Sequence, residues 1–179
     1  MKAEEIEALA KKEGFDGACV IDTGTIIFDA AFRPYCAENL CGQYGANYSC
    51  PPVCGTPEEM EKRVLSYPEA LVLQSKWEIA SFTEKEKLQK GKKLHNEAMF
   101  RIVSEMKRAG HDGFMIGASG CALCKPCFIQ KGEPCKFPDL RYSCMSAYCI
   151  YVKKLAEDCG MNYDYKDGIL LYFGAFVFR

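Results

Sequence analysis

Histidine is scarce in this sequence, with only His95 and His111, and there is a single tryptophan, Trp77. Neither histidine has a sequence neighbour that would make it a ligand or a catalytic base. His95 falls in a helical stretch with no partner at helical spacing, and His111 follows a helix-stopping glycine and reads as a solvated loop residue. A mixed cysteine–histidine zinc site and a histidine-based nucleophilic triad are therefore poorly supported. Excess charge is missing too. The 23 basic and 24 acidic residues leave a net charge of -1, which provides no electrostatic footprint for nucleic acid or an anionic membrane. No apolar run approaches the roughly 20 residues that a membrane span needs. The charged start Met1-Lys2-Ala3-Glu4-Glu5 is not followed by the apolar core of a secretion signal. There is no G-x-x-x-x-G-K-[ST] phosphate loop and no G-x-G-x-x-G after a strand. The expectation is a cytoplasmic chain with no nucleic acid and no membrane among its partners.

Against these absences stand 12 cysteines in 179 residues. Disulfides rescue small secreted domains that lack a core, and they are rare in reducing compartments. With 49% hydrophobic residues the chain can bury a core of its own. Cysteine at this density in a reducing compartment reads as metal binding.

The rest of the pattern predicts an α/β or α+β fold: one domain over residues 1–179, with a single sheet, covering helices and two cysteine-rich metal-binding loops at about 33–55 and 119–138. Residues 2–13 are amphipathic and Gly14 stops them. Ala18–Ile21 and Thr25–Phe28 read as short strands around an Asp22-Thr23-Gly24 turn. Thr56-Pro57-Glu58-Glu59 is a capping box that opens a helix to about Ser66. Ala70–Leu73 reads as a buried strand. A second box, Thr83-Glu84-Lys85-Glu86, opens the longest helix, to about Ala109, although Gly91 interrupts its pattern. Gly113–Gly117 is a strand, Ser143 an N-cap for a helix ending at Gly160, and Ile169–Phe178 a strand rich in aromatic residues.

The sharpest chemical signal is Cys121-x2-Cys124-x2-Cys127-x7-Cys135. Three cysteines at successive x2 spacings can wrap one compact centre, as the first three thiols of a bacterial ferredoxin run do. Lys131-Gly132-Glu133-Pro134 reads as the turn that returns Cys135 to that centre. Lys125, Lys131, Lys136 and Arg141 stand near these ligands and would offset the negative charge of a [4Fe-4S] cluster. Zinc is the main rival, yet zinc sites usually pair two separated Cys-x2-Cys knuckles. The second constellation, Cys36-x4-Cys41-x8-Cys50-x3-Cys54, lies in a turn-rich loop with Tyr44-Gly45, Pro51-Pro52 and Gly55. It could hold a second cluster, a zinc, or a cluster with three thiolates and one open iron. Of the remaining cysteines, Cys19, Cys149 and Cys159 read as packing. Cys144 would sit in the first turn of the helix after Ser143, where the helix dipole lowers a thiol's pKa, as an alternative ligand or a redox thiol.

With both stretches in view, the chain resembles a family of predicted metal-binding proteins of unknown function, domain of unknown function family 2284. The most specific parts are Cys41-Gly42-Gln43-Tyr44-Gly45 running to Cys50-Pro51-Pro52, and Cys121-Ala122-Leu123-Cys124-Lys125-Pro126-Cys127 running to Pro134-Cys135-Lys136-Phe137-Pro138. The resemblance covers nearly the whole chain. It implies Cys36, Cys41 and Cys50, together with Cys121, Cys124, Cys127 and Cys135, as ligands. Cys54, Cys144 and Cys149 lie outside the core of the family pattern, and the resemblance carries no reaction.

The function expected from these readings is electron transfer or redox support through one or two [4Fe-4S] clusters, with a redox protein or enzyme as partner. Cys121, Cys124, Cys127 and Cys135 would ligate one cluster, and Cys36, Cys41, Cys50 and Cys54 the other. Two alternatives stand beside it: an enzyme using an open iron site as a Lewis acid, and a structural zinc domain acting as an interaction module.

Overall fold

The richest β-forming segment of the sequence, Ile169–Phe178 (β5), lies at the centre of the sheet. Residues 1–179 are described here from a computed structural model. β5 runs antiparallel to Glu69–Glu78 (β2) over its whole length, with Glu69 opposite Phe178 and Glu78 opposite Ile169. Gly17–Asp22 (β1) pairs antiparallel on the outer side of β2. Gly113–Gly117 (β3) pairs antiparallel on the other side of β5. The two residues Ser143–Cys144 (β4) close that edge, parallel to β3. The result is one mixed sheet in the order β1-β2-β5-β3-β4.

Side chains of a strand point alternately to opposite faces, and here both faces are buried. Ala70, Val72, Phe173, Ala175 and Val177 join one apolar cluster, which reaches helices Pro57–Leu65 (α3) and Val152–Asp158 (α5) through Met60, Val64, Leu155 and Ala156. Leu71, Leu73, Phe176 and Phe178 join the other, which holds Ile6 and Ala10 of Ala3–Lys12 (α1) and Met99, Ile102 and Met106 of Lys85–Arg108 (α4). A sheet covered on two faces needs apolar residues at consecutive positions, and the unbroken run in β2 and β5 supplies them. No helix is long and apolar enough to cross a membrane.

Most local signals act as read. The Thr56 box forms: Thr56 Oγ1 accepts from the Glu59 N–H at 3.2 Å, and the Glu59 carboxylate accepts from the Thr56 N–H at 2.8 Å. Gly91 sits inside α4 because a side chain there would collide with β5. A Cβ at this position would lie 2.7 Å from the Tyr172 ring and 3.2 Å from Trp77. Three readings need correction. The Thr83 box does not form, because Glu84 turns back to accept from the N–H groups of Ala80 and Ser81, at 2.5 and 3.0 Å, and α4 starts at Lys85. Thr25–Phe28 is not a strand. Asp22 accepts from the Gly24 N–H and winds Thr23–Thr25 into a 3-10 turn, leaving only a single bridge from Phe28 to Ile150. Ser143 caps no helix. It is taken up by pairing with Ile116 of β3, and α5 begins only at Val152.

His95 has a partner that its own helix could not reveal. It is buried, and its Nδ1 lies 2.6 Å from Ser75 Oγ on β2. Ser75 Oγ in turn accepts from the Trp77 indole N–H at 3.1 Å. Burial pushes the imidazole pKa down to about 3 from its ordinary 6.5. The folded state therefore refuses a proton that the unfolded chain accepts between those two values. The neutral histidine sits without penalty above pH 6.5, and stability falls as pH drops through that window. Urea unfolding of the protein and of its His95→Asn variant at pH 7 and pH 5 should show the parent losing on the order of 2 kcal/mol more than the variant. Equal losses would clear His95 of the acid sensitivity.

Candidate metal centre

Both cysteine loops gather at the end of the sheet where β3 stops. β3 and β4 are parallel neighbours, so the chain must cross over between them. The segment that crosses, residues 118–142, is the second cysteine loop itself, with one 3-10 turn at Phe128–Lys131 and no α-helix. The parallel register sets Cys144 directly beside Gly117, at the point where that loop departs.

The first loop is shaped from within. Arg33, at the start of Arg33–Ala37 (α2), donates to the carbonyls of Gly55 at 2.7 Å and Ala147 at 2.8 Å. It thereby ties the two ends of the loop together and to the chain after β4. Asn39 Oδ1 accepts from the Tyr44 N–H at 3.0 Å, and the Gly45 N–H donates to the Pro51 carbonyl at 2.8 Å.

Four hydrogen bonds join the two loops. The Cys121 N–H donates to Ser49 Oγ at 2.8 Å, and Asn47 Nδ2 donates to the Cys121 carbonyl at 2.9 Å. Tyr48 OH donates to the Glu133 carbonyl at 2.8 Å, and Gln130 Nε2 to the Ala46 carbonyl at 3.0 Å. Asn47 and Ser49 are buried, and Asn47 Oδ1 accepts from both the N–H and the hydroxyl of Ser49. From the helical side, Asn96 of α4 accepts from the Ala118 N–H at 2.9 Å, and Tyr142 OH accepts from the Ala122 N–H at 3.1 Å. The loops touch so closely that a Cβ on Gly120 would lie 2.9 Å from Cys50 Sγ.

This latch sorts the thiols into two groups. Cys121, Cys124, Cys127 and Cys135 all line one narrow cleft of about 10 Å³, with Tyr48, Leu123, Phe137 and Arg141 around them. Cys36, Cys41 and Cys50 line a much larger cavity of about 1020 Å³ together with Cys144. Cys121, Cys124 and Cys127 line both and form the wall between them. Cys54 does not line the large cavity. It packs on the apolar cluster around α3, as Cys144 also does, and stays close enough to Cys36, Cys50 and Cys144 for their charges to act on one another. Cys149 is buried, and Cys19 and Cys159 lie against one another away from both cavities. No three or more Cys, His, Asp or Glu side chains converge on a position for a single ion.

The electrostatics differ from the expectation in two ways. Lys131 and Lys136 hold their ammonium groups over the Phe128 ring, at 5.2 and 4.2 Å, leaving Arg141 as the cation lining the narrow cleft. Cys144, expected to be acidified by a helix, is in β4, where burial raises its pKa. Burial also raises Cys36 and Cys121, and pushes Cys50 up to about 12 and Cys54 up to about 11, the latter against the pull of Arg33. Such thiols are neutral near pH 7, so metal uptake must expel their protons. Arg33 acts on Cys36 and Cys54, and its Nε is buried without a partner. A soft thiolate set beside an unspent cationic N–H suits a metal centre of net negative charge.

A family model described as "Predicted metal-binding protein (DUF2284)" matches residues 19–177. The chain belongs to that family. Both loops, the four hydrogen bonds between them and Cys144 fall within the matched residues. No curated protein and no solved structure matches the chain.

Cys144 reads in the sequence as an alternative ligand or a redox thiol, yet no spacing rule connects it to Cys50. Only the β3–β4 pairing does. Asn47 and Ser49 carry no local signal, because their partner Cys121 lies 74 and 72 residues away. Replacing Asn47 by Ala removes the buried amide that donates to the half-buried Cys121 carbonyl and that anchors Ser49, a loss of about 1–3 kcal/mol. The Asn47→Ala variant should lose that much stability, and its Cys121 amide should lose protection in hydrogen exchange. Unchanged protection at Cys121 would show that the latch does not hold this loop.

Proposed function

We propose that the protein carries two neighbouring iron–sulfur centres and serves in electron transfer or redox support, exchanging electrons with a redox protein or enzyme. The observation that carries this reading is the shared wall. Four thiols at ferredoxin-like spacing line one cleft, and three of them also face a cavity edged by four more cysteines. Cys121, Cys124, Cys127 and Cys135 would hold one [4Fe-4S] cluster. The narrow cleft is no roomier than one water, so these thiols would spread to admit it. Cys36, Cys41, Cys50 and Cys144 would hold the other, with Cys54, close to Cys36 and Cys144, as the rival fourth ligand.

A single zinc would need its thiolates about 2.3 Å from one point. The wide spread of Cys36, Cys41, Cys50 and Cys144 around a large cavity suits a polynuclear centre better. When bound, the clusters would supply one-electron chemistry. The residues of the chain do the rest. Arg33, beside Cys36, and Arg141, at the narrow cleft, would offset negative charge, and Leu123 and Phe137 would form the cleft's apolar rim.

Iron, acid-labile sulfide and zinc should be measured per chain after anaerobic purification. About eight irons and eight sulfides are expected for two four-iron clusters. Zinc without iron would sink the electron-transfer reading and leave a structural zinc domain. In the same assay Cys144→Ser should lose about half of the iron and Cys54→Ser almost none. The reverse pattern would restore Cys54 as the ligand. Unchanged iron in both variants would point to three thiolates and an open iron, which is the enzyme reading.

A further inference from the structure

We propose that the large cavity is also the binding site of a small organic anion with an apolar or aromatic body. The inference draws on the metal-centre reading only for the cavity floor. The volume of about 1020 Å³ is at the top of the range of small-molecule sites, about 300–1,000 Å³. A metal centre held by Cys36, Cys41, Cys50 and Cys144 would fill one end and leave the mouth open.

The mouth has a definite chemistry. Most of the residues around the cavity are hydrophobic. Tyr35, Tyr151 and Tyr163 stand at it, exposed by 67%, 42% and 43%. Aromatic surface left open in one place marks a ligand groove more often than chance does. Every charged residue lining the cavity is a lysine: Lys92 from α4, Lys125 from the second loop and Lys153 from α5. No Asp or Glu lines it.

These three lysines are also unpaired. Their immediate neighbours find partners, Lys93 with Glu97 and Lys154 with Asp158, but Lys92, Lys125 and Lys153 form no ion pair. Three cations from three separate elements therefore converge on an apolar chamber with no counter-charge of their own. The group that complements them carries a carboxylate, phosphate or sulfonate on a ring or hydrocarbon body. A concave site with its cations at the rim suits a small molecule better than a protein surface, which would meet them on a flat face.

The test uses the anaerobically purified protein and two probes of one skeleton, anilinonaphthalene sulfonate and uncharged phenylnaphthylamine, followed by equilibrium dialysis. Saturable binding at one site per chain is expected, with the sulfonate preferred by about tenfold, the size that three partly exposed charges can supply. The triple variant Lys92→Gln, Lys125→Gln, Lys153→Gln changes only exposed positions. It should keep the fold by circular dichroism and bring the two probes within about twofold of one another, and the double variant Lys92→Gln, Lys153→Gln, which leaves the residue beside Cys124 untouched, should keep the metal content as well and lose part of the preference. Ser146→Trp, which puts an indole into the chamber, should abolish binding of both. Absence of saturable binding, equal affinities for the two probes, or a preference that survives the triple variant would overturn the proposal. Metal analysis of the same samples separates the two readings. Iron-loaded protein that binds neither probe removes the chamber alone, whereas charge-selective binding to iron-free protein keeps the chamber and removes the clusters.

Discussion

The cysteine end of the molecule depends on how one half-buried peptide unit meets two buried side chains. Cys121 follows β3 to the edge of the core, where its N–H and carbonyl find partners. They find them in Ser49 and Asn47 of the other loop, at 2.8 and 2.9 Å. Neither loop has a ladder or a helix long enough to impose a shape on the other. The mutual position of the two thiol sets is thus held by side-chain-to-backbone hydrogen bonds, reinforced from the helical side by Asn96 and Tyr142. Buried polar networks of this kind, when every member is paired, fix one arrangement against many similar ones.

The topology explains why the chemistry lies where it does. In open α/β sheets, ligands collect beyond the carboxyl ends of the parallel strands. Only β3 and β4 are parallel here, and the cysteine loop is what connects them. A helix in that position would have lain on a face of the sheet. The irregular crossover instead keeps its cysteines at the strand ends, and its backbone groups are satisfied by the first loop, by Asn96 and by Tyr142.

Much of this was legible in the sequence because local rules decide it. The Thr56 box, the apolar runs of β2 and β5, and the grouping of Cys121, Cys124, Cys127 and Cys135 each depend on residues close in the chain. What was not legible depends on contacts distant in sequence. Ser143 has the chemistry of an N-cap, but pairing with Ile116 overrides it, and that same pairing brings Cys144 to Cys36, Cys41 and Cys50. Gly91 looked like a break in a helix until Tyr172 and Trp77 were seen against it. Lys131 and Lys136 lie over the ring of Phe128, the residue after Cys127. Cys54 follows Cys50 by one turn and packs, like Cys144, on the apolar cluster beside the large cavity.

The party wall of Cys121, Cys124 and Cys127 makes the two cavities unequal in the sequence of their filling. Whatever first occupies the narrow cleft orders three residues that also face the wide one. The second occupant then meets a surface whose freedom has already been lost, so its own ordering cost is smaller. Uptake at the two positions would be cooperative even though no ligand is common to both occupants.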